Sequence, residues 1–145
     1  MTEERAKEVE GLLERLAAWA KQRPDVRALA LVGSQASGTP RADSDVDVVL
    51  LTDSPARYIE HDDWLASVGG ARFVNTAEWG PLTERRFALR SGLEVELGIG
   101  APAWASLRPV DAGTRRVVSD GMRVLYDPEG LLAALAAACD GGNPS

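Results

Sequence analysis

The sequence predicts an α+β fold: a small mixed sheet flanked by helices. Three observations carry that expectation. The chain opens with apolar residues at three- and four-residue spacing. Its middle holds short β-branched or alternating runs, two of them joined by a tight turn as an antiparallel pair. It closes on a helix, a strand and a second helix. Helices and strands mixed in this way, with an antiparallel pair among them, do not fit a doubly wound parallel sheet.

Taken in order, Val9, Leu12, Leu13, Leu16, Ala17 and Ala20 form one apolar stripe of a first helix. Thr2 is its expected N-cap, Glu3 and Glu4 suit its positive end, and Pro24 stops it. The run 28–32, Ala-Leu-Ala-Leu-Val, is a buried strand ending at Gly33, and 33–44 reads as a loop rich in Gly, Ser, Thr and Pro. A second, central strand spans 46–51, Val-Asp-Val-Val-Leu-Leu. Residues 53–61 give no decisive pattern. Trp64, Leu65 and Val68 suggest a short helix capped by Asp62 or Asp63 and closed by Gly69-Gly70. Strands are expected over 71–76, 84–90 and 93–99. In the second, Arg85, Phe87 and Leu89 share a face, and Ser91-Gly92 makes the hairpin to the third. A helix from Asp111 or Ala112 to Asp120, a strand 122–126 and a helix N-capped by Asp127-Pro128 complete the chain. The last helix carries Leu131, Leu132, Leu135 and Cys139 and ends at Gly141.

The length, 145 residues, suits one domain, expected over 1–140, with 141–145 as a frayed tail. A single cysteine and a single histidine, Cys139 and His61, exclude an internal disulfide framework and argue against a Cys/His zinc site. No apolar run approaches a membrane span, and the N-terminus lacks the order of a signal peptide, so no membrane association and a cytoplasmic location are expected. The net charge of −6 disfavours a polyanion partner, since phosphate-backbone binding relies on clustered cations. A small-molecule or protein acceptor is expected instead, with no nucleic acid.

The informative stretch is Gly33-Ser34 followed, after ten residues, by Asp45-Val46-Asp47 at the mouth of the apolar strand. Side chains alternate along a strand, so Asp45 and Asp47 share a face and repel unless a cation sits between them. Magnesium suits such hard oxygen ligands and completes its shell with water and phosphate oxygens. Gly33 lets a ligand approach the backbone closely, and Ser34 adds a hydroxyl donor. The backbone N–H groups that follow can cradle a phosphate, and more so if they begin a helix. As isolated residues the aspartates would be turn or solvated strand positions, but Asp47 lies between Val46 and Val48, where an unpartnered charge is costly.

This run resembles the nucleotidyltransferase superfamily of DNA polymerase β, especially the minimal nucleotidyltransferases and the kanamycin nucleotidyltransferases. Their pattern is Gly-Ser, about ten residues, then Asp-x-Asp entering an apolar strand. The run Arg41-Ala42-Asp43-Ser44-Asp45-Val46-Asp47 is typical of the minimal members. The resemblance covers about twenty residues by motif and extends to roughly residue 100 by strand order. It implies a nucleotidyltransferase that moves a nucleoside monophosphate from a triphosphate, ATP being the expected one, to an acceptor hydroxyl with release of pyrophosphate. It implies nucleotide binding by Gly33, Ser34, Arg41 and Ser44, and two Mg²⁺ ions held by Asp45, Asp47 and a third carboxylate that also serves as base. In one departure, Ser37 stands where minimal members often carry arginine. Arg41 either replaces that phosphate contact or is a solvated loop charge.

The third carboxylate is expected in a later apolar strand, and Leu93-Glu94-Val95-Glu96-Leu97 is the one of that kind. Glu94 and Glu96 share a face, so alternation does not separate them. Glu96 is favoured because it lies deeper in the strand and in register with the family's usual position, although the family more often has Asp there. The rival for this pair is the solvated face of an edge hairpin.

Other residues have plainer readings. Arg85, Arg86 and Arg90 flank the third carboxylate and read as exposed strand cations or as contacts to a triphosphate or an acidic acceptor. Trp64, Trp79 and Trp104 read as packing residues rather than base-stacking platforms. Gly98-x-Gly100-x-x-Ala103, with Asp120 further on, is a weak match to a dinucleotide fingerprint. The resemblance also admits a second function: a non-catalytic or antitoxin-type interaction module on the same fold, acting with a small helical partner protein. Residues 101–145 would otherwise supply an acceptor wall.

Overall fold

The strand runs assemble into a six-stranded sheet, in the spatial order 70–79, 82–89, 94–100, 46–52, 26–32 and 122–126. The computed structural model describes residues 3–37, 45–107 and 110–141. Its elements are α1 (Glu3–Lys21), β1 (Val26–Val32), α2 (Ser34–Ser37), β2 (Val46–Thr52), α3 (Pro55–Ile59), β3 (Gly70–Trp79), β4 (Leu82–Leu89), β5 (Glu94–Gly100), α4 (Ala112–Asp120), β6 (Met122–Tyr126) and α5 (Leu131–Gly141). The β2–β5 pair is parallel and the other neighbours are antiparallel, so the fold is the mixed α+β class read from the sequence. Among the described residues, no helix is long and apolar enough to cross a membrane.

Two apolar layers sandwich the sheet, and strand alternation assigns each side chain to one of them. On the first face, Leu29 and Leu31 of β1, Val46, Val48 and Leu50 of β2, and Val95, Leu97 and Ile99 of β5 meet Leu12, Leu13 and Leu16 of α1. On the second, Ala28 and Ala30, then Val49 and Leu51, meet Trp104 and the Leu132, Leu135 and Cys139 stripe of α5. Trp19, absent from the stripe read in the sequence, is buried and joins Tyr58, Trp64 and Phe87 in edge-on aromatic contacts.

Several boundaries differ from the sequence reading. Residues 53–61, left undecided there, contain α3, started by Pro55. The expected helix around Trp64 is one 3-10 turn, Ala66–Val68, ended by Gly69 at φ 84°. β3 runs on to Trp79 and turns back through Gly80-Pro81 into β4 at Leu82, a hairpin the sequence reading missed. Asp127 is not the residue flanking α5, which begins at Leu131. Its carboxylate still accepts from the Leu132 and Ala133 amides, so it caps from a distance. Asp111 caps α4 as expected, accepting from the Gly113 and Thr114 amides. The dinucleotide reading is overturned. Gly98 and Gly100 lie inside β5 under Leu82, where a Cβ on Gly100 would come within 2.7 Å of the Leu82 side chain. A 3-10 turn, Pro102–Ala105, follows instead of a helix. Thr2 lies outside the described residues, as do 142–145 of the expected tail.

At the end of the sheet where β1 begins, Asp25 accepts hydrogen bonds from Tyr58 (2.5 Å) and Thr52 (2.8 Å). Burial pushes the Asp25 carboxyl up, but these bonds outweigh it and hold its pKa below the ordinary 3.8. A lowered folded pKa adds stability that is present above pH 3.8 and lost as the pH falls through the lowered value. Tyr58→Phe is therefore expected to cost about 1.5–3 kcal/mol at neutral pH, the worth of a hydrogen bond to a charged group. It should also move the acid-unfolding midpoint upward. Circular-dichroism titrations of both proteins measure this, and identical acid limbs would contradict it.

Candidate active site

The candidate site is built where β1 ends and β2 begins. The two strands are antiparallel, so Val32 pairs with Asp47, and the chain leaves at Gly33 beside the point where it returns. Gly33 has φ 75°, open to glycine at little cost, and a Cβ there would collide with Asp47 Oδ2. The glycine thus makes room for the carboxylate rather than only for a turn. After it, α2 forms one turn, with the Ala36 amide donating to the Gly33 carbonyl. The loop expected from residue 33 is therefore helical at its start. In the same turn Gln35 Nε2 is buried without a hydrogen-bond partner, a donor the sequence reading passed over.

The parallel β2–β5 pairing puts Asp47 opposite Glu96, and the antiparallel β4–β5 pairing puts Arg86 opposite Glu96 and Ala88 opposite Glu94. All these side chains stand on the second face of the sheet. Sequence alternation left Glu94 and Glu96 equivalent; the register separates them, because Glu96 is the one level with Asp47. Arg86 Nη1 donates to Asp45 Oδ2 at 2.7 Å and to Glu94 Oε1 at 2.9 Å, and Nη2 pairs with Glu96 Oε1. Arg86 is therefore neither a freely solvated strand cation nor remote from the carboxylates. Arg90 is exposed, and Arg85 is buried on the opposite face. Trp64 and Trp104 are packed in the two cores.

The electrostatics follow from this crowding. Burial, and then the Asp45 charge, push the Asp47 carboxyl up to about 6, with Arg86 opposing them. Glu84, two residues before Arg86 on the same face of β4, is raised by burial and by Asp47. Glu84 was missed in the sequence. The available signal was its alternation with Arg86, opposite in face to Arg85 and Phe87. Among the described residues, no three His, Cys, Asp or Glu side chains converge closely enough to hold a metal ion. The Arg86 guanidinium stands among the carboxylates instead. The structure thus brings together Gly33, Asp45, Asp47 and Glu96. Ser34 begins α2, and Arg41 and Ser44 lie outside the described residues.

Comparison with known proteins agrees with this arrangement at the level of fold. A cytoplasmic RNA terminal U-transferase superposes with a TM-score of 0.53 at 20% identity, over 82% of this chain and 34% of its own. The Cid1 complex with the UTP analogue UMPNPP gives 0.53 at 17%, over 83% of this chain and 35% of its own. The chain thus spans about a third of the length of these structures. No curated protein matches it. A model of the nucleotidyltransferase domain matches residues 13–90, from within α1 to just past β4, and so takes in Gly33, Asp45 and Asp47. The chain belongs to the nucleotidyltransferase domain family.

Proposed function

We propose that the protein transfers a nucleoside monophosphate from a nucleoside triphosphate, ATP first among them, to a hydroxyl of a small molecule or protein. The observation that carries this is the register of Asp47 and Glu96 on adjacent parallel strands, with the Asp47 carboxylate seated against Gly33. Residues 1–140 would form the nucleotidyltransferase domain, in the cytoplasm, with 142–145 as its tail; Gly141, expected in that tail, closes α5 instead.

The donor set suits Mg²⁺ in its chemistry: carboxylate oxygens on one face, already gathered round a cation, the Arg86 guanidinium. Asp45, Asp47 and Glu96 would hold two such ions, which when bound neutralise triphosphate charge. Gly33 and Ser34, with Arg41 and Ser44, would seat the triphosphate. The acceptor oxygen attacks the α-phosphorus, its proton passes to Glu96, and the bond to the bridging oxygen breaks to release pyrophosphate. Phosphoryl transfer of this kind needs positioning and charge compensation more than covalent chemistry.

A second reading, a non-catalytic or antitoxin-type module working with a small helical partner, draws on one observation: the described carboxylates do not converge as a ligand set. The guanidinium among them accounts for that. RNA is not proposed as acceptor, although the terminal U-transferase is a relative in fold. The described arginines Arg15, Arg23 and Arg57 gather in a groove of about 520 Å³ beside Asp25, at the end of β1 opposite Gly33. They form no basic track along the carboxylate face, where counterion release would have to arise.

Pyrophosphate release tests the proposal, assayed with Mg²⁺ across the four ribonucleotides and a panel of hydroxyl-bearing small molecules, candidate proteins and single-stranded RNA. Release that needs Mg²⁺ and a small-molecule or protein acceptor is expected. Release with RNA alone would overturn the acceptor assignment, and none under any condition would favour the interaction module.

A further inference from the structure

Arg86 is the one described residue that touches three of the site's acidic groups at once. It extends from β4 on the same face as Glu84, and its side chain is 27% exposed. The guanidinium reaches Asp45 and Glu94 through Nη1 and Glu96 through Nη2. Asp45 and Glu96 are two of the proposed metal ligands, and the third, Asp47, lies within the field of the same cation. Guanidinium forms strong charge-assisted bonds with carboxylates and stays protonated at any pH the protein survives. With oxygens of Asp45, Glu94 and Glu96 drawn to the guanidinium between them, the acidic side chains do not converge as a metal-ligand set among the described residues.

We propose that Arg86 is the resident counter-cation of this site: it holds Asp45, Glu94 and Glu96 in the metal-free chain, and it must be displaced before these carboxylates can close on a divalent ion. The proposal rests on the reading of Asp45, Asp47 and Glu96 as metal ligands. Arg86 thereby acts as a positioning residue. It keeps mutually repelling carboxylates in place while the site is empty of metal, and it weakens metal binding by competition. The exchange couples occupancy to a side-chain movement, so a bound divalent ion leaves the guanidinium free for another anion.

The test is calorimetric titration of the full chain with Mn²⁺ alone, for the wild type, Arg86→Gln, Arg86→Lys and, as a control for loss of a neighbouring charge, Arg90→Gln. Arg86→Gln is expected to bind roughly tenfold more tightly or better, because no ion pairs have to be broken first. Arg86→Lys should fall between it and the wild type, and Arg90→Gln should match the wild type. Diamagnetic Mg²⁺ supplies a second readout in ¹⁵N-arginine-labelled protein. The Nε–H resonance missing from the Arg86→Lys spectrum should move on titration in the wild type. Should Arg86→Gln fail to fold, Arg86→Lys and the resonance carry the test. Wild-type binding with no gain in the Arg86 variants, or a resonance that stays still as metal saturates, would overturn the exchange and leave the metal site standing. Absence of divalent-ion binding in every protein would overturn both.

Discussion

Asp47→Asn is expected to remove nucleotidyl transfer, by at least about a hundredfold, while leaving the fold intact and making the ligand-free chain more stable. The loss follows from the position of the carboxylate, level with Glu96 and against Gly33, where an amide keeps the shape and lacks the charge. The gain follows from the crowding. Burial and Asp45 raise the Asp47 pKa from 3.8 to about 6, so its charged form is less favourable in the folded chain than in the unfolded one. That cost is fully present above about pH 6, shrinks as the carboxyl takes up its proton, and is absent below 3.8, where both states are protonated. Asp47→Asn should therefore melt a few degrees above the wild type near neutral pH, with the gap closing in acid. Scanning calorimetry at both pH values measures it. A lower melting temperature at neutral pH would show that the carboxylate is a structural partner rather than a strained one.

Arg85→Ala should act in the opposite way, on stability rather than on chemistry. Arg85 is 4% exposed and stacks 4.3 Å from the Phe73 ring centroid. Its guanidinium donates to the Tyr58 carbonyl (3.0 Å), the His61 carbonyl (2.9 Å), Asp62 Oδ1 (2.6 Å) and Thr76 Oγ1 (3.2 Å), pinning the end of α3 to the sheet. Truncation leaves the Tyr58 carbonyl without this donor and opens a cavity beside Tyr58, whereas the His61 carbonyl keeps the Trp64 Nε1–H donor and Thr76 is exposed to water. The Asp62 carboxylate is exposed enough to return to water, so its pair contributes little. About 2–3 kcal/mol should be lost, mostly from packing and from the unpaired Tyr58 carbonyl. Urea unfolding measures it, and a change below about 1 kcal/mol would contradict the account. Folded Arg85→Ala in the cold should keep its transfer rate, because Arg85 and the carboxylates stand on opposite faces of β4 and β5.

What could be read in the sequence and what could not divides along the range of the forces involved. The stripe of α1, the apolar run of β2 and the alternation of β5 are local patterns, and each became the element it predicted. The shared face of Arg85, Phe87 and Leu89 was equally plain. It implied a buried arginine, though the residue's type argued for an exposed one, and the carbonyls of Tyr58 and His61 that overrule the type lie more than twenty residues away in the chain. The Gly-Ser and Asp-x-Asp spacing pointed to the candidate site. It offered close ligand approach as the reason for glycine at 33 and did not show the second one, since the clash that forbids a side chain comes from Asp47 across the strand pair. Register is likewise non-local. Only the β2–β5 and β4–β5 pairings distinguish Glu96 from Glu94, and only they bring Arg86 into the carboxylates.

The proposed reaction runs through the carboxylate level with Asp47, Glu96. Its most direct test is the rate of Mg²⁺-dependent pyrophosphate release by Glu96→Gln measured beside Glu94→Gln, with the nucleotide and acceptor that the wild type uses. Both variants remove one negative charge from the neighbourhood of Arg86, so the loss of charge alone treats them nearly alike. Turnover of Glu96→Gln is expected to fall by about a hundredfold or more, with nucleotide affinity little changed, because a base acts in the transition state. Glu94→Gln should keep a rate within a few-fold of the wild type. Equal losses, or a larger loss in Glu94→Gln, would contradict the role of Glu96.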